Sequence, residues 1–151
     1  MRPVHIELFA SGAVKPEALW ALVADVRRLP EWSDADAVVS VDPEPVQVGS
    51  RVVTRDGDRE LSWTVITREA RVLELRTALP DGRMGIGVSV AREALGARAR
   101  IVLAARYEPG SRLAAVRFRV LGAASLRRRF DAWTRRALRM LRATEDAGDG
   151  S

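Results

Sequence analysis

Cysteine is absent from the 151 residues, which excludes disulfides and thiolate metal sites. Histidine occurs once, as His5, tyrosine once, as Tyr107, and lysine once, as Lys15. One imidazole cannot supply a histidine-based metal centre, and His5 falls on the outward side of its strand pattern, so no metal and no cofactor is expected. Aromatic residues make up 5% of the chain. No apolar run approaches the about 18 residues a membrane span needs, so no transmembrane segment is expected. The opening Met1-Arg2-Pro3-Val4-His5 enters a strand pattern without a signal-peptide core, and the cytoplasm is the expected location. No glycine loop of Walker or dinucleotide form occurs. Gly85-x-Gly87 sits inside a strand pattern, where it marks a bulge or close packing.

Arginine is abundant instead, and it is unevenly placed. Residues 1–110 hold 15 basic and 16 acidic side chains, a net of −1. Residues 111–142 hold ten arginines against Asp131 alone, a net of +9, and residues 143–151 add −3. The overall charge of +5 therefore belongs to one segment. That segment, Ser111–Arg142, reads as one long helix with Pro109-Gly110 as its start signal. Leu126, Phe130, Trp133, Ala137 and Leu141 recur at steps of three and four and share a face. Arginines fill most other positions. Their face is either solvated or a contact for an acidic partner or anionic membrane surface. Single-strand nucleic-acid readers interleave basic groups with exposed aromatics. Here Phe130 and Trp133 lie on the apolar stripe, so no nucleic-acid partner is expected.

The rest of the chain is read in order as one domain over residues 1–146, with a disordered tail at 147–151. Val4, Ile6, Leu8 and Ala10 alternate with polar or outward positions, a half-buried strand. A helix follows from Pro16 with Leu19, Trp20, Leu22, Val23 and Val26 on its apolar face, then a short helix or turn at Leu29-Pro30-Glu31-Trp32. Strands follow at Val38–Val41, Val52–Thr54, Leu61–Thr67, Val72–Leu79, Met84–Arg92 and Arg98–Tyr107. Asp56-Gly57, Pro80-Asp81-Gly82 and Leu95-Gly96-Ala97 are the turns. This is an α+β layout with a helix held against a curved antiparallel meander.

Parity predicts the inner face. Ala99, Ile101, Leu103, Ala105 and Tyr107 oppose Arg98, Arg100 and Arg106, so the first set faces the helix. Met84, Ile86, Val88 and Val90 follow on the next strand, then Leu73, Leu75, Thr77 and Leu79, then Trp63, Val65 and Thr67. The surface is aliphatic, with Thr67, Thr77 and the Tyr107 hydroxyl as its polar points. Gly122-Ala123-Ala124-Ser125 makes the helix thin and leaves room for a ligand. Alternatively, Trp20, Trp32, Trp63, Phe118 and Trp133 fill that room.

Pro16-Glu17-Ala18-Leu19-Trp20-Ala21-Leu22-Val23-Ala24-Asp25, followed by Leu29-Pro30-Glu31-Trp32, resembles the opening signature of the START-like superfamily. More narrowly it is similar to the SRPBCC group of polyketide cyclase/dehydrase and lipid-transport proteins. Gly49, Trp63 and the closing helix fall where that family has them. The resemblance spans about residues 3–143. It implies a helix-grip fold: about seven curved antiparallel strands around a long C-terminal helix, two shorter helices after strand 1, and a hydrophobic cavity. It also implies binding or conversion of an apolar molecule such as a lipid, isoprenoid or polyketide. Aromatase/cyclases of this group carry a pocket arginine on the strand after the first hairpin, and an aromatic hydroxyl after the second helix. Aligned from Trp63, these positions hold Thr67 and, nearby, Asp36 or Ser33, so the chain departs from the pattern at both.

The leading expectation is a small apolar ligand lined by Trp32, Trp63, Thr67, Thr77, Met84, Tyr107 and Phe118. The alternative is a polyketide cyclase or dehydratase, with Asp36, Thr67 and Tyr107 as the candidates for proton transfer. A third reading is an interaction module using the arginine face. Monomer and homodimer are both open. Asp25 has a capping or turn role available to it, and Asp34 lies with Asp36 at the expected cavity mouth.

Overall fold

The computed structural model describes residues 2–93 and 98–149, with side chains through Arg142. The turn expected at Leu95-Gly96-Ala97 and the last two residues, Gly150 and Ser151, lie outside the described residues.

The elements are β1 (Val4–Gly12), α1 (Pro16–Ala24), a 3-10 turn (Val26–Arg28) and α2 (Leu29–Trp32). Then come β2 (Ala37–Asp42), β3 (Arg51–Asp56), β4 (Arg59–Glu69), β5 (Val72–Leu79), β6 (Gly82–Arg92) and β7 (Ala99–Pro109). The chain closes with α3 (Arg112–Arg117), a π-helical turn (Phe118–Gly122) and α4 (Ala123–Asp149). The seven strands form one antiparallel sheet in the order β1-β7-β6-β5-β4-β3-β2. The chain thus meanders from β2 to β7, and β1 closes the far side against β7, pairing Val4 with Tyr107 through Gly12 with Ala99. This is the helix-grip arrangement: a curved seven-stranded sheet, two short helices after β1, and the long C-terminal helix against its inner face.

Local chemistry explains the boundaries. Pro16 sits in the first turn of α1, where its missing N–H costs nothing. Asp25 caps the 3-10 turn by accepting the Arg27 N–H at 3.1 Å, the capping role open to it in the sequence. Ser111 caps α3 by accepting the Ala114 N–H at 3.1 Å. Gly57 ends the β3–β4 hairpin with φ of +61°, a conformation that suits glycine. The final helix runs to Asp149, three residues into the stretch expected to be disordered; no proline interrupts it there.

The core lies between the sheet and α4. Ile101, Leu103, Val65 and Val52 from the strands are buried with Leu19, Leu22 and Val23 of α1. From α4, Leu126, Phe130, Ala137 and Leu138 join them. The predicted parity holds on β5, β6 and β7, where Leu73, Leu75, Val88, Val90, Ile101 and Tyr107 are buried.

Parity fails on β4. The β4–β5 register shifts between Val65 and Thr67, so Thr67 pairs with Glu74 and Arg68 with Leu73. One inserted residue reverses the faces of everything after it. Thr67 therefore leaves the inner face, and its Oγ1 lies 3.1 Å from Glu74 Oε2. Arg68 lies over the Trp20 ring of α1, 5.1 Å from its centroid.

Candidate functional site

Between the inner face of the sheet and α4 lies a cavity of about 340 Å3. Its walls come from α1, the 3-10 turn, α2, the five strands β3 to β7, and α4, because a strongly curved sheet cannot touch a straight helix along its whole length. Leu73, Leu75, Ile86, Val88 and Leu103 form the aliphatic floor. Val23, Val26 and Leu29 close one side, and Leu126 and Trp133 of α4 form the roof. The thin stretch Gly122–Ser125 does not line it; the helical lining begins at Leu126.

Tryptophan lines this space rather than filling it. Trp32, Trp63 and Trp133 all border the cavity. Trp32 and Trp133 meet edge to face, with centroids 6.4 Å apart and planes at 85°. The Trp63 indole is pinned by donating its N–H to Thr54 Oγ1 at 3.1 Å. The Nε1 atoms of Trp32 and Trp133 are buried with no hydrogen-bond partner. Thr77, buried on β5, donates its hydroxyl to the Ser62 carbonyl at 2.7 Å, which leaves its oxygen able to accept.

The mouth is polar. Asp34, Asp56, Arg59 and Arg129 border it. Arg129, from α4, reaches Asp34 Oδ2 at 3.2 Å and Asp56 Oδ2 at 3.7 Å. About two turns along, Arg136 donates to the Ser33 carbonyl at 2.9 Å. Two of the ten arginines are thus engaged with loops beside the mouth. A third, Arg135, pairs with Asp131 within the helix at 3.3 Å. Exposed pairs of this kind add little stability, but they hold the α2–β2 loop and the β3–β4 hairpin beside α4.

Of the residues expected to line a site, Trp32, Trp63, Thr77 and Met84 do so. Thr67, Tyr107 and Phe118 do not. Thr67 is turned outward by the β4 bulge. Tyr107 is 2% exposed, stacks on Phe118 at 4.4 Å between centroids, and donates its hydroxyl to the Asp81 carbonyl at 3.1 Å. The pair anchors α3 to β7. Asp36 is absent from the lining too: its Oδ2 accepts the Gly57 N–H at 2.7 Å, tying β2 to the hairpin tip. The three proton-transfer candidates therefore never meet, and the carboxylates that border the cavity are Asp34 and Asp56. Among the described residues, no group of three or more histidine, cysteine or acidic side chains is placed to hold a metal ion.

Burial, followed by the nearby Asp81, holds the Tyr107 phenol above its ordinary pKa. A raised phenol pKa stabilises the native state below the unfolded value, and that contribution is lost as pH rises through the folded value. Stability should therefore fall above about pH 10, and less steeply in Tyr107→Phe. Urea unfolding of both proteins at neutral and alkaline pH measures this; parallel losses would rule out Tyr107 as the source.

No family model and no curated protein sequence matches the chain. Solved structures do match its fold. An aromatase/cyclase from Streptomyces sp. R1128, ZhuI, superposes with a TM-score of 0.68 at 17% identity, covering 93% of this chain and 94% of that one. Norcoclaurine synthase from Thalictrum flavum gives 0.68 at 9% identity, covering 91% and 86%. A protein from Thermobifida fusca gives 0.68 at 19% identity, covering 89% and 93%. The chain has the fold of the SRPBCC/START-like superfamily. Among the described residues, no helix is long and apolar enough to cross a membrane.

Proposed function

We propose that this protein binds a small apolar molecule in the cavity between sheet and α4, of lipid, isoprenoid or polyketide type. The observation that carries this reading is the cavity itself: about 340 Å3, walled by aliphatic side chains and three tryptophans, with its charges confined to the mouth. That volume sits at the small end of the about 300–1,000 Å3 typical of ligand pockets. Apolar burial at about 25 cal/mol per Å2 supplies the affinity. The Thr77 oxygen supplies an orienting contact. Likeness to an aromatase/cyclase and a synthase supports the reading at the level of fold.

Binding is favoured over cyclase or dehydratase chemistry for a specific reason. General acid–base catalysis needs a titratable group beside the reacting atoms. Among the described residues, the carboxylates on the cavity are Asp34 and Asp56 at its mouth, both engaged by Arg129.

Three of the four tryptophans border the cavity, so intrinsic fluorescence reports its occupancy. Native mass spectrometry of gently purified protein should show a one-to-one adduct of a few hundred daltons. Adding the extracted compound back to stripped protein should shift the tryptophan emission saturably, in Trp20→Phe as in the parent. An adduct that leaves Trp32, Trp63 and Trp133 emission unchanged would place the ligand elsewhere.

A further inference from the structure

One surface has no part in either the core or the cavity. Leu113, Val116, Val120 and Leu121 are each between 59% and 70% exposed. Their spacing runs through α3 and the π-helical turn and puts four large aliphatic side chains on a single face. The opposite face is already docked: Ala114 is buried, and Phe118 stacks on Tyr107. The usual order, apolar inward and polar outward, is therefore doubled, with apolar residues on both sides. Isolated exposed aliphatics are ordinary; a contiguous stripe marks a contact surface.

The charged residues within the stripe's own helical segment are of one sign. Arg112, Arg117 and Arg119 are exposed and interleave with it, and none of them forms an ion pair among the described residues. No acidic residue occurs between Glu108 and Asp131. A helix face of aliphatic side chains edged by arginines matches the boundary of an anionic bilayer, where apolar groups enter the acyl region and guanidinium groups meet phosphates. A second copy of the chain fits poorly, because a twofold contact would set these arginines against their own counterparts. A purely acidic, hydrophilic partner would match the arginines and leave the aliphatic stripe uncovered.

We propose that Leu113, Val116, Val120 and Leu121, with Arg112, Arg117 and Arg119, form a docking surface for an anionic lipid bilayer. The surface is close to the cavity mouth: Leu121 precedes Arg129 by eight residues, about 12 Å along the helix axis. The proposal does not depend on what the cavity holds.

Co-sedimentation of the full chain with vesicles tests it. Phosphatidylcholine vesicles containing about one third phosphatidylglycerol should bind the protein, and pure phosphatidylcholine vesicles should not. Raising salt to about 0.5 M should weaken binding by roughly tenfold or more. The double variant Leu113→Ser with Val120→Ser should lose roughly tenfold or more, and Arg112→Gln with Arg119→Gln should fall likewise. All four positions are exposed, so an unchanged urea midpoint confirms that each variant folds. Absence of binding to anionic vesicles overturns the proposal, as does binding that survives the serine pair. A wild-type dimer that the serine pair converts to monomer would make the stripe a self-association surface instead. Retention on polyglutamate that needs the arginines but not the stripe, without vesicle binding, would assign the surface to an acidic protein.

Discussion

Replacing Phe130 by alanine is expected to destabilise the fold by about 3–5 kcal/mol. Phe130 is 0% exposed and sits on the face of α4 that meets the sheet, with its ring 5.2 Å from that of Trp133. Its removal leaves a hole between α4 and the sheet, and a curved sheet cannot close on it. A domain of this size holds about 5–15 kcal/mol in total, so the loss is a large share. The urea midpoint, followed by circular dichroism, measures it. Leu113→Ser on the same continuous helical run is the comparison, because an exposed position away from special features changes stability by about 0.5 kcal/mol or less. A loss below about 1 kcal/mol for Phe130→Ala would mean that α4 is not packed against the sheet as described.

The second large effect is on ligand. Ile86 lies at the centre of the cavity floor, paired across the sheet with Leu75 and Ala105. Ile86→Trp should place an indole in the open space and weaken binding of the extracted compound by roughly a hundredfold, since one pocket-filling side chain excludes the apolar body that supplies the affinity. Its effect on stability should stay small. Ile101→Trp is the contrast: that residue is fully buried on β7 and does not line the cavity, so a larger side chain there should cost about 1–3 kcal/mol by overpacking. Equal destabilisation by the two substitutions, with ligand binding intact in Ile86→Trp, would show a filled core at Ile86.

These two residues also mark how far the amino-acid order reaches. Phe130 was legible from spacing alone. Steps of three and four on α4, and of two on β5, β6 and β7, follow from covalent geometry and repeat over enough residues to define a buried face. The opening Pro16–Asp25 and Leu29–Trp32 segments, with the order of elements, carried the helix-grip expectation, and the seven-stranded sheet around α4 agrees with it. Trp63, Thr77 and Met84 lie in strands whose alternation runs unbroken up to them, whereas Trp32 belongs to the short Leu29–Trp32 segment and has no period of its own.

What the tertiary structure decided begins where a local period breaks or a partner is distant in sequence. The bulge in β4 is invisible in Leu61–Thr67, whose alternation reads as regular, yet it turns Thr67 to Glu74 and brings Arg68 to Trp20. Tyr107 has the correct inward parity, but Phe118, on a helix that begins only after the strand ends, takes its ring face and so keeps it out of the cavity. Asp36 is claimed by the backbone of Gly57 across the β2–β3 pair. The arginines of the last helix look alike in sequence. Only packing separates Arg129 and Arg136, which reach the loops at the mouth, from Arg112 and Arg119, which edge an exposed aliphatic stripe. Periodicity is a property of the chain's own geometry and determined which faces are apolar. Register, bulges and the meeting of distant elements depend on the whole fold, and they determined which of those faces enclose space.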